Sequence, residues 1–582
     1  MQIIPRHSPS WVRPAGIIIG VLVFALADEA SHLPLGFQLL ALPQLWKFQR
    51  IVHLVGLGFV AVFTVGGHID NWVVAGLRRL DKWFLRGGHK ASFILVVMIL
   101  AYTLIYGGVT FYRHYSFNSC GYDLAIQDQV VWNTAQGRPF ESSIEVSNYL
   151  GDHFQPYLAL LSLVYVVVPS PYVLLAFQTL VLASSAWPLY RLASRKFNSP
   201  AVGLALTFCG LAYPPLGFLN RFDFHGEIIA VPLLIAAYER LDVRDYKRAA
   251  VFMGLALFAK EEMGLTVAAL GLMIAFCHRQ WRVGLTWTFA GVACSLIALF
   301  VIIPAFRGGP SDTLARYQWL GHTPVGMMMT MVSHPGFILR NVIEARRIVT
   351  FLQLIAPLAF FSLLGVSSLL VAVPALAYNY LTHNACQVTI YCHYMTPVIP
   401  FTVISGVVGL HWLTTSRRGG RLLARVLPRI RSGQGVGLGL GMVLLATLTS
   451  WPYESPITDS SMVSSALLVQ PNSAAIRNGL AHVSDDVYLV TTNAYAPHLS
   501  HRRELHILMY DQTFAREAEA VFLNLKDLRW LMSCEGYRQY LVSAARSGFG
   551  VTFYVDGVLL AQKGMGDAGQ LQHLLDNWPG CE

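Results

Sequence analysis

Residues 92–111 read SFILVVMILAYTLIYGGVTF, and residues 112–132 continue YRHYSFNSCGYDLAIQDQVVW. The first stretch contains no Asp, Glu, Lys or Arg. As a helix it is long enough to cross a hydrocarbon core about 30 Å thick. The second stretch carries Asp123 and Asp128, whose charges are costly inside hydrocarbon. This abrupt change from apolar to ionisable decides the fold class: mainly α, a polytopic transmembrane helical bundle.

The same pattern recurs along the chain. Further apolar runs lie at 14–28, 51–67, 171–190, 200–218, 226–241, 249–259 with 263–277, 284–304, 349–364, 366–381, 394–413 and 436–451. The pair around 249–277 is too short for two ordinary spans and reads as a hairpin or broken helix. The total is about 12 or 13 spans. Composition agrees: 13% of the 582 residues are charged, against about 25% in a soluble globular protein. The net charge of +10 sits in short clusters between apolar runs, which suits loops facing the cytoplasm and argues against a nucleic-acid groove.

Those clusters set the orientation. Arg78, Arg79, Lys82, Arg86 and Lys90 precede the third span, and Arg191, Arg195 and Lys196 follow the fourth. Arg244, Lys247 and Arg248, then Arg279 and Arg282, then the six arginines from Arg417 to Arg431 complete the set. Alternating the spans puts all of them in the cytoplasm. Arg340, Arg346 and Arg347 dissent, falling outside, where snorkelling to lipid headgroups competes with ligand binding as their role.

Three loops then face outward, at about 112–170, 305–348 and 382–393. After Trp451, alternating stretches such as DDVYLVTTN and GVTFYVDGVLLAQ replace the long runs. Residues 452–582 therefore read as a small extracytoplasmic α/β domain. The N-terminus has two readings. Arg6 and Arg13 precede an apolar stretch ending in Ala25-Leu26-Ala27, which suits either a cleaved signal peptide or a short first membrane helix. Eight cysteines form no CxxC pair. Cys386 and Cys392 are placed either for a disulfide or as two thiols.

Four stretches send ionisable groups to the outer ends of the helices. The first loop carries Asp123, Asp128, Asp152 and His153; LNRFDFHGE carries Arg221, Asp223, His225 and Glu227. The hairpin tip carries Lys260, Glu261 and Glu262, and IYCHYMTP carries His393. Each has a plainer reading. Asp123 suits a helix N-cap, the histidines suit interfacial sites satisfied by backbone, and the hairpin tip suits a self-neutralising ion pair. Their convergence on one face is harder to explain that way.

The ordered set YDLAIQDQVVW (122–132), GDHFQPYLALL (151–161), FDFHGEIIAVPLL (222–234), KEEMGL (260–265) and IYCHYMTPVIPF (390–401) resembles a family of prokaryotic predicted multi-pass membrane proteins (domain of unknown function 2079). The resemblance covers roughly 92–510, including NAYAPHLSHRREL (493–505), and leaves out the first 90 residues. Together with the change of composition after Trp451, this reads as extra membrane segments at 1–90, a transmembrane module at 91–451 and the external domain at 452–582.

That family in turn resembles GT-C type glycosyltransferases, such as protein mannosyltransferases and the enzymes that modify lipid A with aminoarabinose. The resemblance implies a GT-C-like bundle in the cell membrane that takes sugar from a polyprenyl-phosphate carrier to a glycan, lipid or protein acceptor. It implies an acidic base in the first outer loop, here Asp123. Such a base must take the acceptor's proton as it attacks an oxocarbenium-like carbon. The departing phosphate needs cations, for which Arg221, Lys260 and His393 are candidates, with Arg346 and Arg347 as outsiders. Asp128, His153, Asp223, His225 and Glu261 complete the expected binding set. Asp223, His225 and Glu261 would orient the sugar or hold a divalent ion. Carboxylate and imidazole suit Mn²⁺ or Zn²⁺, but no HExxH-type spacing argues for a metal. Two other classes compete: a transporter or flippase, and a non-catalytic scaffold that binds an envelope partner.

Overall fold

The computed structural model describes residues 70–426, 435–458, 468–508, 517–527 and 533–578. The runs expected at 14–28 and 51–67, the leader-or-helix alternative, and Arg429 and Arg431 lie outside the described residues. Within them, every expected apolar run is helical. Lys90–Tyr115, Pro171–Phe197 and Trp281–Arg307 are each long and apolar enough to cross a membrane. Two further candidates are bent pairs: Pro200–Leu211 with Pro214–Arg221 at 47°, and Ile399–Thr415 with Arg417–Leu423 at 80°. Pro214 and Pro215 open the second half of the first pair, where proline's missing N–H breaks the helical ladder. The remaining apolar helices are shorter.

The long helices present apolar side chains outward: Phe93 is 68% exposed, Leu104 75% and Phe289 77%. A soluble surface would not tolerate such a band, whereas lipid does. Met263–His278 and Trp281–Ile297 meet through glycines instead. A Cβ on Gly264 would lie 2.2 Å from the Gly291 carbonyl oxygen, and one on Gly271 would lie 2.5 Å from the Thr288 nitrogen. Close backbone approach through small residues is how helices associate where lipid removes the hydrophobic driving force. Helices Tyr246–Ala256 and Met263–His278 form the expected hairpin, with Lys260, Glu261 and Glu262 in the irregular turn between them.

Toward the C-terminus stands a five-stranded sheet: β1 (Leu489–Thr491), β2 (Leu505–Ile507), β3 (Ala520–Asn524), β4 (Phe549–Val555) and β5 (Val558–Lys563), in the order β2-β1-β3-β5-β4. β1 pairs in parallel with β2 and β3, and β5 pairs antiparallel with β3 and β4. Side chains alternate along each strand. Val490, Val521, Leu523 and Leu559 pack with Tyr537, Leu541 and Leu571 of helices Cys534–Arg546 and Ala568–Asp576. Leu489, Ala520, Phe522 and Leu560 face the other way and join the continuous core of the helical body. The sheet is thereby pressed onto the helix ends that carry the acidic and histidine motifs.

At the opposite end, the basic cluster is partly neutralised. Arg191 and Arg195 pair with Glu239, and Lys196 Nζ lies 2.5 Å from Asp242. Arg347 is not offered to lipid: its guanidinium donates to the carbonyls of Tyr380 and Thr382, each at 2.8 Å. Cys386 and Cys392 form a disulfide in the loop leading to His393.

Candidate active site

Asp123 sits on a short π-helical turn, Gly121–Ala125, that leads into helix Ile126–Ala135. The C-terminal domain holds this turn. Gly121 N donates to the Asn493 carbonyl at 2.8 Å, and Tyr122 N donates to Asn493 Oδ1 at 3.0 Å. The contact leaves no room for a side chain: a Cβ on Gly121 would lie 2.6 Å from Ile507 and 2.8 Å from Ala496. Glycine is required there by close approach.

Opposite the turn runs the loop after helix Pro214–Arg221. His225 Nε2 lies 3.0 Å from Asp123 Oδ1, and His225 Nδ1 donates to the Asp223 carbonyl at 2.8 Å. The second bond fixes ring orientation and aims Nε2 at the carboxylate. Gln178, on helix Pro171–Ser184, holds the whole loop. Its Nε2 donates to the carbonyls of Asn220 and Phe222, each at 2.9 Å, and its Oε1 accepts from His225 N. Asp223 accepts from Arg113 Nη1 at 2.7 Å and from Cys120 N at 2.8 Å. It is 2% exposed and braces the Asp123 turn.

The cluster continues through stacked rings. His393 lies over His225 with centroids 3.7 Å apart, and its Nε2 is 3.5 Å from Glu227 Oε1. Glu227 also faces Lys260 Nζ at 3.4 Å and accepts from Gln155 at 3.2 Å. Lys260 Nζ is 3.6 Å from Glu262 as well. Glu261 turns the other way, taking His153 Nδ1 at 2.9 Å and Phe154 N at 3.0 Å. Thus Asp123, His153, Asp223, His225, Lys260, Glu261 and His393 form one connected group. Arg221 touches it through its backbone, whose carbonyl accepts from Arg113 at 3.3 Å.

Asp128 does not join that group. It is fully buried, accepts from Tyr165 OH and Ser500 Oγ at 2.5 Å each, and lies 2.9 Å from His501 Nε2.

Electrostatics sorts these groups. Burial opposes ionisation of Asp123, but His225 outweighs it and holds the carboxyl below its usual range. Burial likewise opposes the His225 imidazolium, and Asp123 raises its pKa in return. Burial keeps His393 neutral, with the neighbouring His225 and Lys260 charges adding to the effect. Burial disfavours both charges of the Glu261–His153 pair, yet His153 holds Glu261 down at about 2, and Asp152 together with Glu261 raises His153 to about 9. Burial pushes Glu262 up to about 7 despite Lys260.

Asp123, His225 and His393 each offer one ligand atom within 4.8 Å of the others, as do Cys120, Asp123 and Asp223. His393 Nδ1 is buried without a partner, so the first set has the donor types and an unsatisfied nitrogen that suit a divalent ion. Arg113, Gln178 and Asn493 escaped the sequence reading. Gln178 had a local signal, as an amide inside an apolar run, and Asn493 opens the NAYAPHLSHRREL stretch.

Two solved structures are similar in outline. ArnT from Cupriavidus metallidurans bound to undecaprenyl phosphate is 12% identical at a TM-score of 0.48, covering 80% of this chain and 97% of ArnT. The apo state of the same protein is 13% identical at a TM-score of 0.46, covering 81% and 98% respectively. No curated protein matches the sequence. Residues 113–560, however, match the family described as "Predicted membrane protein (DUF2079)", and the chain belongs to that family.

Proposed function

We propose that the protein transfers a sugar from a polyprenyl-phosphate-linked donor to an acceptor hydroxyl on the extracytoplasmic face of the cell membrane. Asp123 is the general base. One observation carries this reading: Asp123 keeps 18% of its side chain exposed while an imidazolium holds it ionised, whereas Asp223 and Glu227 are each 2% exposed and paired. An accessible carboxylate at the meeting point of the loops is the group that general-base chemistry needs.

The acceptor O–H bond breaks toward Asp123 as its oxygen bonds to the anomeric carbon. The bond from that carbon to the phosphate oxygen breaks, the electron pair leaves with polyprenyl phosphate, and the centre inverts. His225 steadies Asp123 in the charged form and stays beside it once it is protonated. The departing phosphate needs fixed positive charge. Arg316 and Lys260 lie 5.7 and 5.8 Å from the Tyr394 ring centre, one exposed at the mouth and one buried beneath. Lys260 is held by Glu227 and Glu262, whereas Arg316, among the described residues, donates only to the neutral groups Gln387 Oε1 and Tyr394 OH, at 3.4 Å each, so Arg316 is the cation that closes on phosphate. A divalent ion held by Asp123, His225 and His393 would add charge at the same place.

Glu262, whose carboxyl burial pushes up to about 7, is the competing candidate for the base. Reconstituted protein given polyprenyl-phosphate sugars and crude envelope acceptors distinguishes the two. Asp123→Asn lowers transfer by about 10²–10⁴-fold and Glu262→Gln much less; the reverse pattern moves the base to Glu262.

A further inference from the structure

The segment 305–348 contains two short helices, Pro324–Ser333 and Pro335–Val342. Apolar residues of the first recur at Val325, Met328, Met329 and Val332, the i, i+3, i+4, i+7 spacing that puts four side chains on one stripe. Such a stripe ordinarily faces a core. Here it faces away: the four residues are between 61% and 81% exposed, while Met327 on the opposite side is buried. The second helix buries no residue and exposes Phe337 and Leu339, and Ile343 follows in the same state. In water, an apolar patch of this kind is a contact surface without its contact.

Neighbouring contacts fix the depth of the patch. Trp319 Nε1 donates to the Leu381 carbonyl at 2.8 Å, and its ring meets Phe337 at 5.6 Å and His383 at 5.1 Å. Arg347, beyond the second helix, donates to the carbonyls of Tyr380 and Thr382. The segment is thus tied, on both sides of the two helices, to residues 380–383, where helix Val366–Tyr380 ends. That helix turns Val366, Leu370 and Val373 outward at i, i+4 and i+7, so its flank faces lipid almost up to this level. The exposed patch therefore stands beside a lipid-facing surface, at the height where tryptophan marks a membrane boundary. At 10 and 8 residues, the helices are about 15 and 12 Å long, too short to cross the hydrocarbon and suited to its edge.

Charge points the same way. Residues 313–343 contain no Asp or Glu. Arg340 is exposed and pairs with no acidic group among the described residues, and Glu344 is taken by Arg347. Phospholipid supplies what the stripe and the cation both lack, acyl chains and a phosphate at one depth. We infer that the two helices form an amphipathic element seated in the edge of the bilayer nearest the Asp123 cluster. Val325, Met328, Met329, Val332 and Leu339 lie among acyl chains, and Arg340 meets headgroup phosphate. This docking needs neither the chemistry of Asp123 nor the orientation of the chain. Arg316 lies in the turn Asp312–Leu320 just before the first helix, so docking also holds at headgroup depth the cation assigned above to the donor phosphate; only this last consequence rests on that function.

The test uses the full chain in phosphatidylcholine nanodiscs. A fluorescent amino acid replaces Met329, Val332 or Leu339 in turn, and exposed Gln572 of the C-terminal domain as the aqueous reference. Two quenchers are compared, a phosphatidylcholine with a nitroxide high on its acyl chain and iodide in the buffer. The three helix positions are quenched by the lipid nitroxide and shielded from iodide, and the reference shows the reverse. With the reporter at Leu339, Val332→Asp loses most of the lipid quenching and Val332→Leu retains it; Val332 is exposed, so both variants leave the protein core intact. Arg340→Glu, which repels phosphate, weakens the lipid quenching, and Arg340→Lys does not. Iodide quenching equal to that of the reference puts the stripe in water, and shielding from both quenchers means that a protein surface covers it; either result overturns the docking. Lipid quenching unchanged in Arg340→Glu overturns the headgroup contact.

Discussion

Asp123 and Asp128 lie five positions apart on one continuous helical stretch, yet their surroundings are opposite. Asp123 faces a single imidazolium and keeps part of its surface open. Asp128 is sealed between Tyr165 of the helical body and Ser500 and His501 of the C-terminal domain. A buried carboxylate taken up by three donors fastens two bodies together; one with access can exchange a proton. The same side chain is thus reactive or structural according to which loop closes over it.

The comparison predicts different failures. Asp123→Asn lowers sugar transfer by about 10²–10⁴-fold, the span of general-base effects, with the unfolding temperature unchanged. A large loss of stability in that variant would make Asp123 a fastener as well. Gly121→Ala forces a methyl group against Ile507 and Ala496, so it displaces the turn. Overpacking of this kind costs about 1–3 kcal/mol, and the expected reading is roughly tenfold slower transfer at unchanged donor KM. Asp128→Asn removes charge-assisted bonds and lowers stability by about 1–3 kcal/mol, seen as earlier unfolding and faster proteolysis of the C-terminal domain. Its effect on transfer is small. If Asp128→Asn stops transfer in a stable protein, the two roles are exchanged.

The smallest effect comes from a third pair. The His153 pKa is raised from 6.5 to about 9, and that of Glu261 is lowered from 4.5 to about 2. The His153 contribution is therefore complete below 6.5 and fades as pH rises through 9; that of Glu261 is complete above 4.5 and fades as pH falls toward 2. Stability from the pair is greatest between those unperturbed values. In His153→Gln the alkaline decline in unfolding temperature disappears; a decline that persists assigns it to another group.

Much of this arrangement was legible from residues alone, because hydrocarbon permits few solutions. Apolar runs had to become helices, and the groups excluded from them had to meet at the helix ends. That is why Asp123, His225, Lys260, Glu261 and His393 were visible in advance as candidates. Their pairing was not. Asp223 read as a candidate ligand and is also held by Arg113 and Cys120; Lys260 read either as a cation for phosphate or as part of an ion pair at the hairpin tip, and it lies against Glu227 and Glu262. Asp128 read as part of the site, and its carboxylate is taken up by Tyr165, Ser500 and His501 rather than by the Asp123 group. Pairing depends on loop conformations and on partners hundreds of residues away, which no local pattern records. The outer segment 305–348, expected as a loop, contains helices Pro324–Ser333 and Pro335–Val342, the second with no buried residue.

The contact between Asn493 and the Asp123 turn joins residues 371 apart in sequence. During synthesis at about 5–20 residues per second, that interval is on the order of tens of seconds. For all of that time the membrane helices can insert and pack while the turn lacks its clamp. A nascent chain therefore carries a membrane body before it carries a finished site, and a ribosome that stalls short of the C-terminal sheet leaves behind an inert protein rather than an unregulated one.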